Sequence, residues 1–313
     1  MTELRKDYIL DRYVIIADAR GKRPHEFREE KQDKKVEKCF FCPGNENLTP
    51  PETGRIGDEK GWRIRWFPNK FSAVDAEGQV EIRTDNDFYT FANAVGFHEV
   101  IVETPNHEEE LHQLSIERIY EVLKVYSDRI DDGMRRAEYA VLFKNHGAKA
   151  GTSIKHSHTQ MIAYNQVPPL IKSKVEASKR YFVCPYCRII DSEKGSDRRI
   201  TESNTMVSFT PYASEHPFEA WIFPKRHIRQ MHEMTNDEFY ELASSLKQIL
   251  VRLAELNASY NFMVQQSPAG ENMHLHFEIK PRLSTWAGFE LAGGTIINPV
   301  SPEEAARFYR GEK

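Results

Sequence analysis

No run of about 18 apolar residues occurs anywhere in the chain, so no membrane span is expected. The opening Met1-Thr2-Glu3-Leu4-Arg5-Lys6-Asp7 has no apolar signal-like core, which predicts a cytoplasmic protein. Charge of one sign is lacking too. With 43 Lys+Arg against 47 Asp+Glu the formal net charge is −4, which gives no electrostatic footprint for nucleic acid. Neither a Gly-x-Gly-x-x-Gly nor a Walker loop is present, so the usual glycine-rich cradles for dinucleotides and triphosphates are missing. Cysteine is scarce: the 313 residues contain 4, and all of them fall into two Cys-x-x-Cys pairs, Cys39/Cys42 and Cys184/Cys187. In a cytosolic chain such pairs favour metal or redox chemistry over structural disulfides. A hydrophobic share of 40% and a charged share of 29% fit a soluble protein of one large or two ordinary domains.

What the chain does have is an imperfect internal duplication. One segment runs from Pro105-Asn106-His107 to Tyr120-Glu121-Val122-Leu123, the other from Pro224-Lys225-Arg226-His227 to Tyr240-Glu241-Leu242-Ala243. Laid over each other, they match His107 with His227, His112 with His232, Tyr120 with Tyr240 and Glu121 with Glu241. Apolar strand-like runs precede both histidine segments, Val100-Ile101-Val102 and Ala220-Trp221-Ile222-Phe223. A helix follows each, marked by Ile116, Ile119, Leu123, Tyr126 and Ile130 in one and by Phe239, Leu242, Leu246, Ile249 and Leu253 in the other. Thr235-x-x-Glu238 opens the second as a capping box. Each unit then continues into another strand-like run and closes on a His-x-His, His156-Ser157-His158 and His274-Leu275-His276. The spacing predicts halves at 1–165 and 175–313, joined near Gln166-Val167-Pro168-Pro169, and an α+β fold with a largely antiparallel sheet.

Cysteine and histidine together suit zinc, for which Cys2His2 is a standard structural set. The duplication supplies it twice: Cys39, Cys42, His107 and His156, then Cys184, Cys187, His227 and His274. Two zinc ions per chain are therefore expected. Taken alone, Cys184-Pro185-Tyr186-Cys187 could also be a redox motif. The choice of His274 over His276 follows only from the repeat.

Side chains alternate along a strand, so His156 and His158 share a face. With His156 on the metal, His158 stays free, and a neutral imidazole is a competent nucleophile toward phosphorus. The approach Asn145-His146-Gly147-Ala148-Lys149-Ala150-Gly151-Thr152-Ser153 suits a phosphate, with Gly151 permitting close backbone contact and Asn145 and Ser153 donating hydrogen bonds. Gln160 lies on the same face and can donate to a phosphoryl oxygen as charge develops. A histidine that only packs beside the metal is the alternative. The second half has Glu278 in place of Gln160 and a short acidic approach, so His276 is not expected to be a nucleophile.

The string Asn145-x-Gly147-x-x-x-Gly151-x-Ser153-x-x-His156-x-His158-x-Gln160 resembles the active-site segment of galactose-1-phosphate uridylyltransferases, a branch of the histidine-triad superfamily. The likeness extends from Arg5-Lys6-Asp7 through Arg20-x-x-Arg23-Pro24, Cys39-Phe40-Phe41-Cys42 and Phe67-Pro68-Asn69-Lys70-Phe71 to Phe218-Glu219, Pro224-x-x-His227 and Ala287-Gly288-Phe289-Glu290. It implies two duplicated histidine-triad-like halves, a mostly antiparallel sheet flanked by helices, and a homodimer. It also implies a ping-pong reaction in which His158 takes the nucleotide from a nucleotide sugar and passes it to a second phosphate compound. Carried over position by position, Arg20, Arg23, Phe40 and Asn69 hold the nucleotide, Asn145, Ser153 and Gln160 meet the phosphates, and Glu290 meets the sugar hydroxyls. For Arg20 and Arg23 a solvated surface pair is the plainer reading, for Phe40 a core aromatic, and for Glu290 an exposed charge.

Three positions depart from the best-known branch: Ser157 replaces proline, Thr152 a cysteine, and Ser267 a histidine of its second metal site. A plant-type branch with His-Ser-His and a second Cys-x-x-Cys transfers adenylyl groups from ADP-glucose to phosphate. The expected function is transfer between UDP-glucose and galactose 1-phosphate, a nucleotide sugar and a sugar 1-phosphate. The alternatives are adenylyl transfer or phosphorolysis acting on ADP-glucose or a dinucleoside polyphosphate, and a non-catalytic zinc-stapled nucleotide-binding module. No nucleic-acid or membrane partner is expected.

Overall fold

The computed structural model describes residues 2–18, 38–58 and 61–312; Arg20 and Arg23 lie outside the described residues. The strands are β1 (Glu3–Lys6), β2 (Tyr13–Ile16), β3 (Gly54–Asp58), β4 (Gly61–Pro68), β5 (Ile82–Thr84), β6 (Thr90–Ala92), β7 (Gly96–Val102), β8 (Tyr139–His146) and β9 (His158–Tyr164) in the first half. They continue as β10 (Arg199–Glu202), β11 (Met206–Phe209), β12 (Ala220–Pro224), β13 (Tyr260–Gln265), β14 (His276–Pro281) and β15 (Ile296–Asn298). The helices are α1 (Ile116–Arg136), α2 (Pro169–Ser178), α3 (Pro185–Glu193), α4 (Asn236–Glu255), α5 (Gly288–Gly293) and α6 (Pro302–Arg310).

A single sheet of ten strands, in the order β10-β11-β12-β14-β13-β8-β9-β7-β4-β3, organises the molecule. Every pairing in it is antiparallel. From its centre outward, β8-β9-β7-β4-β3 repeats as β13-β14-β12-β11-β10, so the duplication read from the sequence is a duplication of structure. The two copies meet where β8 pairs with β13, His146 opposite Tyr260 and Phe143 opposite Met263.

The long helices follow their sequence signals. Ser115 Oγ accepts from the Arg118 amide at 3.2 Å to start α1, and Thr235 with Glu238 forms the capping box of α4. Their apolar stripes pack into one core, with Tyr126, Leu123, Leu246 and Leu253 fully buried. The matched tyrosines reach reciprocally across the helix pair: Tyr120 Oη donates to Asn236 at 3.0 Å, and Tyr240 Oη to Glu117 at 3.2 Å. The matched glutamates tie each helix to the outer part of the sheet in its own half, Glu121 to Arg63 on β4 and Glu241 to Ser203 and Thr205 in the turn between β10 and β11.

The first residues pack against the C-terminal half. β2 lies parallel to β15 in a small sheet with β1, Arg5 pairs with Glu303, and Arg12 pairs with Glu215.

On the α1 side of β9 an ion pair is buried outright. Lys144 Nζ sits 2.7 Å from Glu103 Oε2, and neither side chain is more than 2% exposed. Ser157 and Thr159 hydroxyls donate to the same carboxylate at 2.6 Å each, and Tyr126 adds a further hydrogen bond. These bonds hold the Glu103 carboxyl below its usual range against the opposing effect of burial, which is the largest single influence on it. A depressed carboxylate stabilises the fold above its unfolded pKa, and that stability is lost as pH falls through the folded value. Lys144→Met, which strands Glu103 as an unpaired buried charge, should lower the unfolding free energy at neutral pH by about 3–5 kcal/mol in urea titrations. The deficit should shrink on acidification, because the stranded carboxyl neutralises before the paired one does.

Candidate active site

Two groups of four side chains converge as the sequence spacing predicts. In each, one ligand atom per residue lies within 4.8 Å of all the others: Cys39, Cys42, His107 and His156 in one, Cys184, Cys187, His227 and His274 in the other. The Cys42 sulfur is 3.4 Å from His107 Nδ1 and 3.6 Å from His156 Nδ1; Cys187 stands 3.4 Å from His227 Nδ1 and 3.5 Å from His274 Nδ1. A tetrahedron built on usual zinc bond lengths has N···S edges of about 3.6 Å. The tautomers fit as well. His156 Nε2 donates to the Thr104 carbonyl at 2.7 Å and His274 Nε2 to the Pro224 carbonyl at 2.9 Å, leaving each Nδ1 lone pair toward the sulfurs. A carbonyl can only accept, so the Nδ1 assignment is forced. Both groups could hold a metal ion. A redox role for Cys184/Cys187 is disfavoured, since burial and the neighbouring Cys184 push the Cys187 thiol up to about 12 instead of activating it.

His156 lies just ahead of β9, His158 is its first residue, and Ser157 turns to the opposite side. Phe41 packs edge-on against both imidazoles, its ring centroid 6.3 Å from His156 and 5.2 Å from His158. Ser157 Oγ meanwhile joins the buried pair, 2.6 Å from Glu103 and 3.0 Å from Lys144 Nζ. Lys144 also donates to the His158 carbonyl at 3.0 Å. His158 Nδ1 donates to the His156 carbonyl at 2.8 Å, so Nε2 carries the free lone pair. Burial, with Lys144 adding to it, lowers the His158 pKa to about 4. The imidazole is thus neutral at physiological pH, with Nδ1 committed as donor and the Nε2 lone pair open, the form in which an imidazole is chemically able to attack phosphorus.

Around it the loop between β8 and β9 takes the shape its glycines allow. Gly147 has φ +80°, and a Cβ there would come within 2.2 Å of Ser259 Oγ; Gly151 has φ +88°. Asn145 accepts from Asn261 Nδ2 at 2.9 Å, and the same amide donates to the Ala150 carbonyl at 3.0 Å, so β13 of the other half steadies this loop. Thr152 bonds the Asn145 carbonyl, and Ser153 is exposed. Gln160 and Asn69 are brought together, Asn69 Nδ2 lying 3.2 Å from Gln160 Oε1. Phe40 is exposed beside the cysteines, its carbonyl 3.4 Å from Arg65. Glu290 lies elsewhere, in the first turn of α5, where it accepts from the Ala287 amide at 2.9 Å.

Sequence reasoning missed three residues here. His98 on β7 contacts Gln160 at 2.9 Å; strand alternation through His98, Val100 and Val102 would have placed it on that face. Glu103 and Lys144, the supports under Ser157, had no sequence signal beyond being charges in apolar strands. In the second half, His276 is buried against Lys174 Nζ from α2, 3.3 Å away, and the same ammonium contacts Glu278 and lies 3.3 Å from Gln265. A protein cation there occupies the face that would have to admit a substrate.

Two family models match: that of the galactose-1-phosphate uridyl transferase N-terminal domain over residues 1–168, and that of a domain of unknown function over residues 106–307. An ADP-glucose phosphorylase of Arabidopsis thaliana is 35% identical over 328 residues, covering 98% of this chain and 92% of that protein. A galactose-1-phosphate uridylyltransferase of Thermotoga maritima is 28% identical over 330 residues, covering 99% and 98%. The crystal structure of an ADP-glucose phosphorylase from Arabidopsis thaliana with bound ADP-glucose superposes with a TM-score of 0.84 at 33% identity, covering 100% of both chains. A uridylyltransferase structure does so with a TM-score of 0.77 at 27% identity, over 99% and 98%. The repeated sheet, the paired His-x-His segments and these similarities have one explanation: the chain belongs to the galactose-1-phosphate uridylyltransferase family.

Proposed function

We propose that the chain transfers a nucleoside monophosphate through a covalent intermediate on His158, with ADP-glucose as donor and inorganic phosphate as acceptor. The observation that carries this reading is the His158 imidazole, held neutral, with Nδ1 committed to a carbonyl and Nε2 open beside Gln160. In the first step Nε2 bonds to the α-phosphorus and the bond to the sugar-phosphate oxygen breaks, releasing glucose 1-phosphate. Gln160, Asn145 and Ser153 are the donors for the oxygens on which charge develops. In the second step a phosphate oxygen attacks the same phosphorus, the P–N bond breaks to give ADP, and the imidazole returns to its neutral form. The adenylyl choice is supported by the similarity to the Arabidopsis thaliana phosphorylase and by the His156-Ser157-His158 sequence, which resembles the plant-type branch. A uridylyl reading, with UDP-glucose and galactose 1-phosphate, is favoured by the similarity to the Thermotoga maritima enzyme.

Zinc is the metal that the two Cys2His2 groups suit, as a structural cross-link between the Cys39/Cys42 turn and the residues flanking the nucleophile. A homodimer is carried over from the sequence resemblance, and size-exclusion chromatography with light scattering tests it.

Incubation with α-32P-labelled ADP-glucose should leave acid-labile label on the chain, and unlabelled phosphate should discharge it as ADP. His158→Ala should abolish that label, and label retained by the variant would remove the residue assignment. Labelled UDP-glucose in parallel decides between the two bases, the preferred donor being the one with the faster labelling. Elemental analysis should find close to two zinc ions per chain. Cys42→Ser should lose one of them and unfold at lower temperature; an unchanged zinc content would refute the first site.

A further inference from the structure

Which way the Gln160 amide points decides whether it can donate to a phosphate at all, and the structure contains a chain of bonds that settles it. The backbone amide of Phe71 donates to Asn69 Oδ1 at 2.9 Å, which turns Asn69 Nδ2 toward Gln160. The backbone amide of Ala73 donates to His98 Nδ1 at 3.4 Å, which puts the imidazole proton on Nε2, and Nε2 lies 2.9 Å from Gln160 Oε1. Asn69 Nδ2 also lies 3.2 Å from His98 Nε2, and with both atoms carrying protons that contact is two donors drawn together by the oxygen they share. Two donors therefore converge on the Gln160 oxygen. The amide cannot flip, because its NH2 would then face two N–H groups. Among the described residues Gln160 Nε2 has no hydrogen-bond partner, so both its protons are available at the face shared with His158.

We propose that His98 is a positioning residue for the nucleotidyl transfer: it locks the Gln160 amide with its NH2 toward the reacting phosphate. The proposal rests on the assignment of His158 as nucleophile. His98 is buried, and burial lowers its pKa, which keeps the imidazole in the neutral form that this bond pattern needs. The other half supplies an internal contrast. Val100 lies opposite Gln160 in the sheet, with His98 two residues before it, whereas Trp221 lies opposite Glu278, with Glu219 two residues before it. Where the glutamine is lost, the histidine is lost with it, and both positions carry carboxylates. Those carboxylates face Lys280, 3.9 Å from Glu219 and 3.2 Å from Glu278, so that half balances charge and presents no oriented amide.

The test uses the full chain with zinc bound and follows label transfer from ADP-glucose and UDP-glucose in single turnovers. His98→Phe, which keeps a flat ring and removes the donor, should slow nucleotidyl-enzyme formation roughly 10–100-fold while leaving KM for the donor and the zinc content nearly unchanged. In a Gln160→Ala background the same substitution should cost nothing further, since its effect passes through that amide. His98→Gln, which retains a donor, should recover part of the rate. Full-rate labelling by His98→Phe, or losses that add to those of Gln160→Ala, would overturn the proposal. Should His98→Phe lose zinc, His98→Gln in the same two backgrounds decides the matter by the same additivity criterion. Absence of label on the unsubstituted chain would overturn the nucleophile assignment and this inference with it; label there with no response to His98 overturns this inference alone.

Discussion

Alternation of side chains through three consecutive residues is the constraint on which the active end of this molecule depends. His156 faces the cysteines, Ser157 the buried Glu103–Lys144 pair, and His158 the side on which Phe41 packs, so the residues leading into β9 alternate in the directions they face. The three demands reinforce one another. A metal held by His156 would fix the chain before the strand begins, and the ion pair fixes Ser157 from behind. Lys144 then holds the His158 carbonyl, so the imidazole has little freedom left except that of its open nitrogen. Such preorganisation is how a site avoids reordering itself during reaction.

Duplication made this arrangement twice, and the copies have diverged where chemistry is concerned while keeping what supports the fold. Both retain a Cys2His2 group, a long capped helix, and a tyrosine that reaches across to the other helix. Only the first has a glutamine two residues after its second imidazole, with a histidine against it. The other fills that place with Lys174 and Glu278, a buried ion pair. Burying charges in this way is tolerable because they are compensated, but it leaves no room for an anionic ligand.

Much of this was legible in the sequence, and the reason is periodicity. The repeat of histidines around amphipathic helices exposed the duplication, and spacing alone named both sets of cysteine and histidine that the fold gathers. The α+β class and antiparallel sheet followed from strand-like runs on either side of each helix. Other features leave no local pattern. That β2 would pair with β15, and so attach the first residues to the far half, depends on contacts between the two ends of the chain. The Glu103–Lys144 pair and the Lys174 plug are charges in segments that otherwise read as apolar or amphipathic, and nothing in their spacing announces that they are buried. His98 is the instructive case. Its alternation with Val100 and Val102 was visible, yet its relation to Gln160 appears only when β7 and β9 are paired.

The seam between β8 and β13 gives the second copy a purpose other than chemistry. Asn261 reaches from it to Asn145 at the end of β8 and to Ala150 in the glycine loop of the first copy, and Ser259 fills the space that makes Gly147 obligatory. The loop between β8 and β9 is therefore moulded on its neighbour as on a last. Selection on one copy is consequently selection on the surface of the other, and the two are bound to evolve as a pair.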